Sequence, residues 1–192
     1  MKVFITVLVL IFSFQSWTKA DDISDFEIEG MSIGDSLLDY FSEDEIIKND
    51  GKYYRKKKFI TSAFNNHPKL KIFDWLQVSY KRNDPKYIIY SLDGVLEFRK
   101  NYKGCLQKKN EIVEELKDMF DSKNTKVDEG KHLADPSGKS LFSNFIFKLD
   151  NGHNIVVSCI DWSKKLEKKY FDHLKMWANH REFKEFIISN PY

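Results

Sequence analysis

The sequence predicts an α+β fold: antiparallel β-sheet meanders with helices packed on one face, in two layers. Three observations predict it. Two apolar runs flank Asn151-Gly152 in the stretch LFSNFIFKLDNGHNIVVSCIDW, and Asn-Gly between apolar runs is the strongest short hairpin signal. Ile112, Val113, Leu116, Met119 and Phe120 fall on one face of a 3.6-residue period, which marks an amphipathic helix. The order of elements along the chain is a helix, three strands, a helix, about three strands and a closing helix. Meanders with interspersed helices suit a sheet covered by a helical layer.

Residues 1–20 read as a signal peptide rather than as part of the fold. Lys2 supplies a positive start, Val3 to Phe14 is an apolar run interrupted only by Thr6 and Ser13, and Thr18 and Ala20 are small residues at the cleavage positions. The apolar run is 12 residues long, short of the roughly 20 that a membrane span needs. The expectation is export to the periplasm or beyond the cell, with no stable membrane insertion once the signal is removed. Of the 31 Lys and Arg residues, two lie in the signal, which leaves 29 against 29 Asp and Glu. A balanced charge gives no general attraction to nucleic acid, and none is expected as a partner. Residues 21–192 contain no Pro-, Gly- or Ser-rich linker and are long enough for one well-buried domain.

Asp21 to Ile47 holds ten acids and no base, whereas Lys52, Arg55, Lys56, Lys57 and Lys58 crowd into seven residues. This division fits either an electrostatic docking face or acids at helix starts followed by a lysine-protected edge strand. Ser32 with Asp35, and Ser42 with Glu45, fit the capping box. Leu37, Leu38 and Phe41, then Ile46-Ile47, give short apolar stripes that end at Asn49-Asp50-Gly51. Strand texture follows at Lys58–Phe64, Lys71–Tyr80 and Tyr87–Phe98. Asp93-Gly94 suggests a bulge or a second hairpin within the last of these.

Gly104 opens the clearest helix, and Cys105 lies on its buried face. The polar connection from Asp121 to Ser140 is long enough to hide a strand near Thr125–Val127. In the central hairpin, a two-residue type I′ turn at Asn151-Gly152 pairs Phe147 with Val156, Ile146 with Val157 and Asn144 with Cys159. Apolar residues on both faces then make this ribbon the centre of the core. Tyr170–Ala178 alternates as a strand, and Arg181–Ser189 reads as a short closing helix. Leu92-Asp93-Gly94 echoes Leu149-Asp150-Asn151-Gly152, which raises the possibility of a degenerate tandem αβββ repeat.

The chain has two cysteines, Cys105 and Cys159. Export favours a disulfide between them, since oxidising compartments preserve such bridges. Two buried thiols, or a redox pair without the usual C-x-x-C spacing, are the alternatives.

Gly34-Asp35-Ser36-Leu37 resembles the first block of the GDSL family of secreted esterases and lipases, and Asp150-Asn151-Gly152-His153 has the spacing of its C-terminal D-x-x-H. The resemblance implies Ser36 as nucleophile, His153 as base and Asp150 as its orienting carboxylate. Gly30-Met31-Ser32-Ile33-Gly34 also matches G-x-S-x-G, but Ser32 has a simpler use as a helix cap. Pro136-Ser137-Gly138-Lys139-Ser140 looks like the end of a phosphate-binding loop but lacks its first glycine, since Leu133 stands there. The five histidines show no metal-ligand spacing, and no cofactor or metal is expected. Gly30-Met31-Ser32 leading into a helix resembles the opening of small outer-membrane assembly lipoproteins and β-lactamase-inhibitor-like modules. The runs GMSIGDSLLDYFS, KKNEIVEEL and VSCIDWS resemble short exported bacterial proteins without an assigned activity. The leading expectation is a non-enzymatic binding or structural domain for a protein or envelope ligand, and the runner-up is a GDSL-type esterase.

Overall fold

A computed structural model describes residues 22–51, 53–54, 58–120 and 124–189. The 1–20 leader and the basic residues Lys52, Arg55, Lys56 and Lys57 lie outside the described residues. Ten strands and three α-helices follow in chain order. They are β1 (Glu27–Ile28), β2 (Met31–Ser32), α1 (Glu43–Lys48), β3 (Asp50–Gly51), β4 (Phe59–Asn65), β5 (Trp75–Lys81) and β6 (Ile89–Glu97). Then come α2 (Tyr102–Met119), β7 (Thr125–Lys131), β8 (Leu141–Lys148), β9 (Asn154–Asp161), β10 (His173–Asn179) and α3 (Arg181–Ser189). The fold is α+β, and β3 to β10 form one eight-stranded antiparallel sheet in the order β3-β4-β5-β6-β10-β9-β8-β7.

The sheet is seamed at its middle by β6 against β10, so the β8–β9 hairpin lies toward one edge. The ribbon expected at the centre is displaced because β10 inserts between it and β6, a long-range pairing that local patterning does not encode. Strand β9 is nevertheless buried on both sides, from Ile155 to Cys159.

Side-chain alternation along the strands divides the sheet into two faces. Leu76 and Val78 of β5, Leu92 of β6, Leu174 of β10 and Val157 of β9 are fully enclosed on one of them. That face is covered by the N-terminal segment and α1, through Ile28, Leu37, Phe41 and Ile46, and by α2, through Cys105, Val113 and Leu116. The capping box that starts α1 is present, with Ser42 accepting from the Glu45 N–H and Glu45 reaching back to the Ser42 N–H. Asn101, one turn earlier than Gly104, caps α2 by accepting the Gly104 N–H. Cys105 and Cys159 form a disulfide with Cα atoms 5.9 Å apart, joining α2 to β9.

Helix α3 departs from the expectation of helices on one face. Its Phe183 and Phe186 pack on Phe59 and Tyr90 in a separate apolar cluster, on the side of the sheet opposite α2. A bulge explains Tyr90: Ser79 pairs with Ser91 and Tyr80 with Ile89, so Tyr90 is the extra residue. It meets Phe59 at 5.4 Å, and the Lys81 ammonium lies 4.5 Å from its ring.

Four further expectations are corrected. No turn breaks β6 at Asp93-Gly94; Gly94 is there because the Phe73 ring lies 2.7 Å from where a Cβ would stand. The hairpin at Asn151-Gly152 is one residue longer than type I′. Gly152 (φ +84°) has positive φ but Asn151 does not, and the Gly152 N–H donates to Leu149 O at 2.9 Å. The register therefore shifts by one, pairing Phe147 with Ile155, Ile146 with Val156 and Ser143 with Cys159. A two-residue turn with positive φ at both positions does occur, at Glu29 (+55°) and Gly30 (+76°) between β1 and β2. Strand β5 starts at Trp75 rather than Lys71, because Glu29 accepts the N–H groups of Lys71, Ile72 and Phe73 and holds them as a loop.

Candidate functional site

Among the described residues, the sheet face opposite α2 is covered at the corner where α3 packs and at the end where residues 162–171 fold over it. Across its middle, β5 presents Trp75 and Gln77, β6 presents Asp93 and Val95, and β10 presents Lys175 and Trp177. Trp75, Gln77, Asp93, Lys175 and Trp177 are half-buried, and Val95 is buried. Cross-strand pairing places Lys175 beside Val95 and Trp177 beside Asp93 and Val156. The polar members are tied down. Lys175 pairs with Asp93 at 2.7 Å, and buried Ser91 donates to Asn179 at 2.8 Å. These residues show a firm, mixed aromatic and polar surface.

At one end of this face, Trp75, Phe171, Tyr170, Trp162, His173 and Lys175 help line a cleft of about 230 Å³. Trp162 stacks on Tyr170 at 4.6 Å, and Trp75 meets Phe171 at 5.8 Å. The Trp75 Nε1–H donates to Glu97 at 3.2 Å, so its indole is fixed at both edges. Burial pushes His173 below the ordinary imidazole range, and its Nδ1–H donates to Phe171 O at 2.7 Å. The Nε1–H of Trp162, itself buried, has no acceptor among the described residues.

Ser36, Asp150 and His153 are each engaged elsewhere. Ser36 Oγ donates to Lys86 O at 2.7 Å and accepts the Leu38 N–H at 3.3 Å, starting a short 3₁₀ turn. Asp150 accepts from Asn124 at 3.4 Å. His153 Nδ1 accepts the Arg181 N–H at 2.8 Å, and its ring lies 4.5 Å from that of His180. Among the described residues no hydrogen bond joins any two of the three. Ser32 caps no helix, since it lies in β2 and its hydroxyl donates to Phe26 O at 3.2 Å. The Pro136–Ser140 run closes on buried Asp135, which accepts the N–H and hydroxyl of both Ser137 and Ser140.

Sequence reasoning missed one buried polar cluster. Lys109 of α2 is 5% exposed and donates to Ser143 Oγ, which donates in turn to Glu129. Burial lowers the Lys109 ammonium pKa, and Glu129, 3.7 Å away, opposes that shift. The signal was there to find: residue 109 sits one turn after Cys105 and one before Val113 on the buried stripe. A lysine beside a serine suggests a nucleophile and its base. Ser143 is 2% exposed, however, which leaves a substrate no direct approach.

Among the described residues no three His, Cys, Asp or Glu side chains group as a metal site would need, and no helix is long and apolar enough to cross a membrane. No protein-family model matches the chain, and comparison with curated proteins and with solved structures finds no match either.

Proposed function

We propose that the chain is an exported, non-enzymatic binding domain that offers the uncovered face of its sheet to a protein or envelope ligand. One observation carries the reading: half-buried Trp75 and Trp177, with the Phe171–Tyr170 wall, stand on a hydrogen-bonded sheet that no helix among the described residues covers there. Rigid aromatics with a polar surround are the usual anchors of binding surfaces. Export, to the periplasm or beyond, is supported by the leader pattern of residues 1–20 and by the Cys105–Cys159 bridge.

The test is capture from envelope extract by the folded protein. A specific partner should be retained by the wild type and lost in Trp75→Ala/Trp177→Ala. Capture that is indifferent to both tryptophans would count against the surface. Labelling by a fluorophosphonate probe that vanishes in Ser36→Ala would replace the binding reading with the esterase one.

The tandem αβββ repeat is likewise a proposal. It is supported by the strand order: α1 precedes the meander β3–β6, α2 precedes the meander β7–β10, and the two meet at β6 and β10. The echo of Leu92-Asp93-Gly94 in Leu149–Gly152 lends it nothing. The first lies within the last strand of its meander and the second at a turn between middle strands. Superposition of the two meanders tests it, and strands that fail to overlay in order would refute a duplication.

A further inference from the structure

Two loops meet beyond the Tyr170–Phe171 wall, away from the aromatic cleft. One is the turn between β6 and α2, which carries Arg99 and Lys100. The other is the helical turn after Ser163, which carries Lys164 and Lys168. They enclose a cleft of about 340 Å³. Lys164 and Lys168 lie on a segment of successive turns closed by bonds from Leu166 N–H to Ser163 O and from Tyr170 N–H to Leu166 O, and both line the cleft.

Two carboxylates border the cleft, Glu167 and Asp172. Asp172 is 2% exposed and fully committed, accepting the Trp162 N–H at 2.7 Å and the Lys100 N–H at 3.0 Å. It is the clamp that holds the two cation-bearing loops together. Lys100 gives it that N–H from a left-handed backbone, φ +57°, which residues with a Cβ adopt reluctantly. Arg99 pairs with Glu97 at 2.6 Å, and its guanidinium lies 5.1 Å from the Phe171 ring. Among the described residues no carboxylate lies within ion-pair distance of the Lys100, Lys164 or Lys168 ammonium, whereas those of Lys58, Lys81, Lys108, Lys117 and Lys175 each have one. Scattered surface lysines would not need a buried clamp and a strained backbone to converge.

We propose that this cleft binds an oxyanion group, phosphate or sulfate, on a ligand whose apolar or aromatic part lies along Phe171 and Tyr170. Several ammonium groups around one concave site raise the local positive potential, and an oxyanion relieves their mutual repulsion while accepting their N–H bonds. The site stands whether or not the open sheet face is used.

Phenyl phosphate titrated calorimetrically into the folded, disulfide-bonded protein should bind saturably and be displaced by inorganic phosphate. The pair Lys164→Gln/Lys168→Gln should weaken it tenfold or more. The charge-matched pair Lys117→Gln/Lys148→Gln, at the other end of α2 and of β8, should change it less than twofold. Vesicles of phosphatidylglycerol, against phosphatidylcholine alone, separate a lipid headgroup from a soluble source: binding there that depends on Lys164 and Lys168 assigns the headgroup. No saturable binding to phenyl phosphate or to phosphatidylglycerol, or equal loss in both lysine pairs, overturns the proposal. Envelope capture through Trp75 and Trp177 is a separate readout, so either site can fail alone.

Discussion

Gly94 and Glu29 show how single residues set geometry that the local pattern does not announce. Gly94 leaves room in a central strand for the Phe73 ring, which a Cβ would meet at 2.7 Å. Phe73 is itself buried, so Gly94→Ala should destabilise by about 1–3 kcal/mol, as overpacking does. Chemical denaturation measures it, and an unchanged midpoint would show that Phe73 moves aside freely. Glu29 acts across 44 residues. Burial raises its carboxyl pKa, but the N–H groups of Phe73, Lys71 and Ile72 outweigh this and hold it below the usual range. Glu29→Ala leaves those three donors to water and should destabilise by roughly 1–3 kcal/mol, with faster amide exchange over residues 71–73. Lys109 points the other way. Its partner Glu129 remains solvated, and replacing a buried cation by an apolar side chain of similar volume is often neutral or stabilising. Lys109→Met is expected within about 1 kcal/mol of wild type, and a loss above roughly 3 kcal/mol would mark the Lys109–Ser143–Glu129 cluster as essential to the core.

At the scale of elements, two imidazoles accept N–H groups from the first turn of α3. His153 Nδ1 accepts the Arg181 N–H and His180 Nδ1 accepts the Glu182 N–H at 3.1 Å. Burial pushes both below the ordinary imidazole value of 6.5, and each ring lies among cations: Arg181 beside both, Lys184 near His153 and Lys81 near His180. Asp22, Glu182 and Glu185 pull in the opposite sense without reversing the shift. The unfolded chain therefore takes up protons near pH 6.5 while the folded chain resists until lower pH. Stability is full above about 6.5 and falls as pH drops toward the folded values. Melting temperature should decline from pH 7 to pH 5, with the α3 amides exchanging first. A shallower profile in His153→Gln/His180→Gln than in wild type would assign that part of the slope to this pair, since burial also lowers His132 and His173 and these remain; an unchanged slope would remove the pair from the account. The β8–β9 hairpin makes the same point about geometry. Asn151-Gly152 announces a turn correctly, yet the loop takes Asp150 in as well, and every cross-strand pair shifts by one.

Across the whole molecule, the bridge from α2 to β9 closes a loop of 54 residues, worth about 4 kcal/mol in a chain-entropy treatment. Cys105→Ala/Cys159→Ala should lower the melting temperature by roughly 10 °C or more, read by scanning calorimetry. Loss of only a degree or two would show that α2 docks without its tether.

What the amino-acid order alone determined is local. Periodicity located α2, α3 and most strands within a few residues, Ser42 with Glu45 marked the start of α1, and two cysteines in a chain with an export-like leader pointed to each other. Met119 fits the apolar spacing of α2 yet is 43% exposed, whereas Leu116 and Phe120 on either side of it are enclosed, so the buried stripe is narrower than the spacing implies. Lys109 is not legible in the sequence as buried, because charge, unlike spacing, argues against burial. Only the tertiary structure decided that β10 inserts between β6 and β9, which face of the sheet α3 packs on, and that Asp172 joins two distant lysine-bearing loops. Those outcomes depend on pairings between residues some 70 to 90 positions apart, such as Lys100 with Asp172 and Ser91 with Asn179. Such contacts follow from how elements compete for the same partners, and no short window of sequence carries that information.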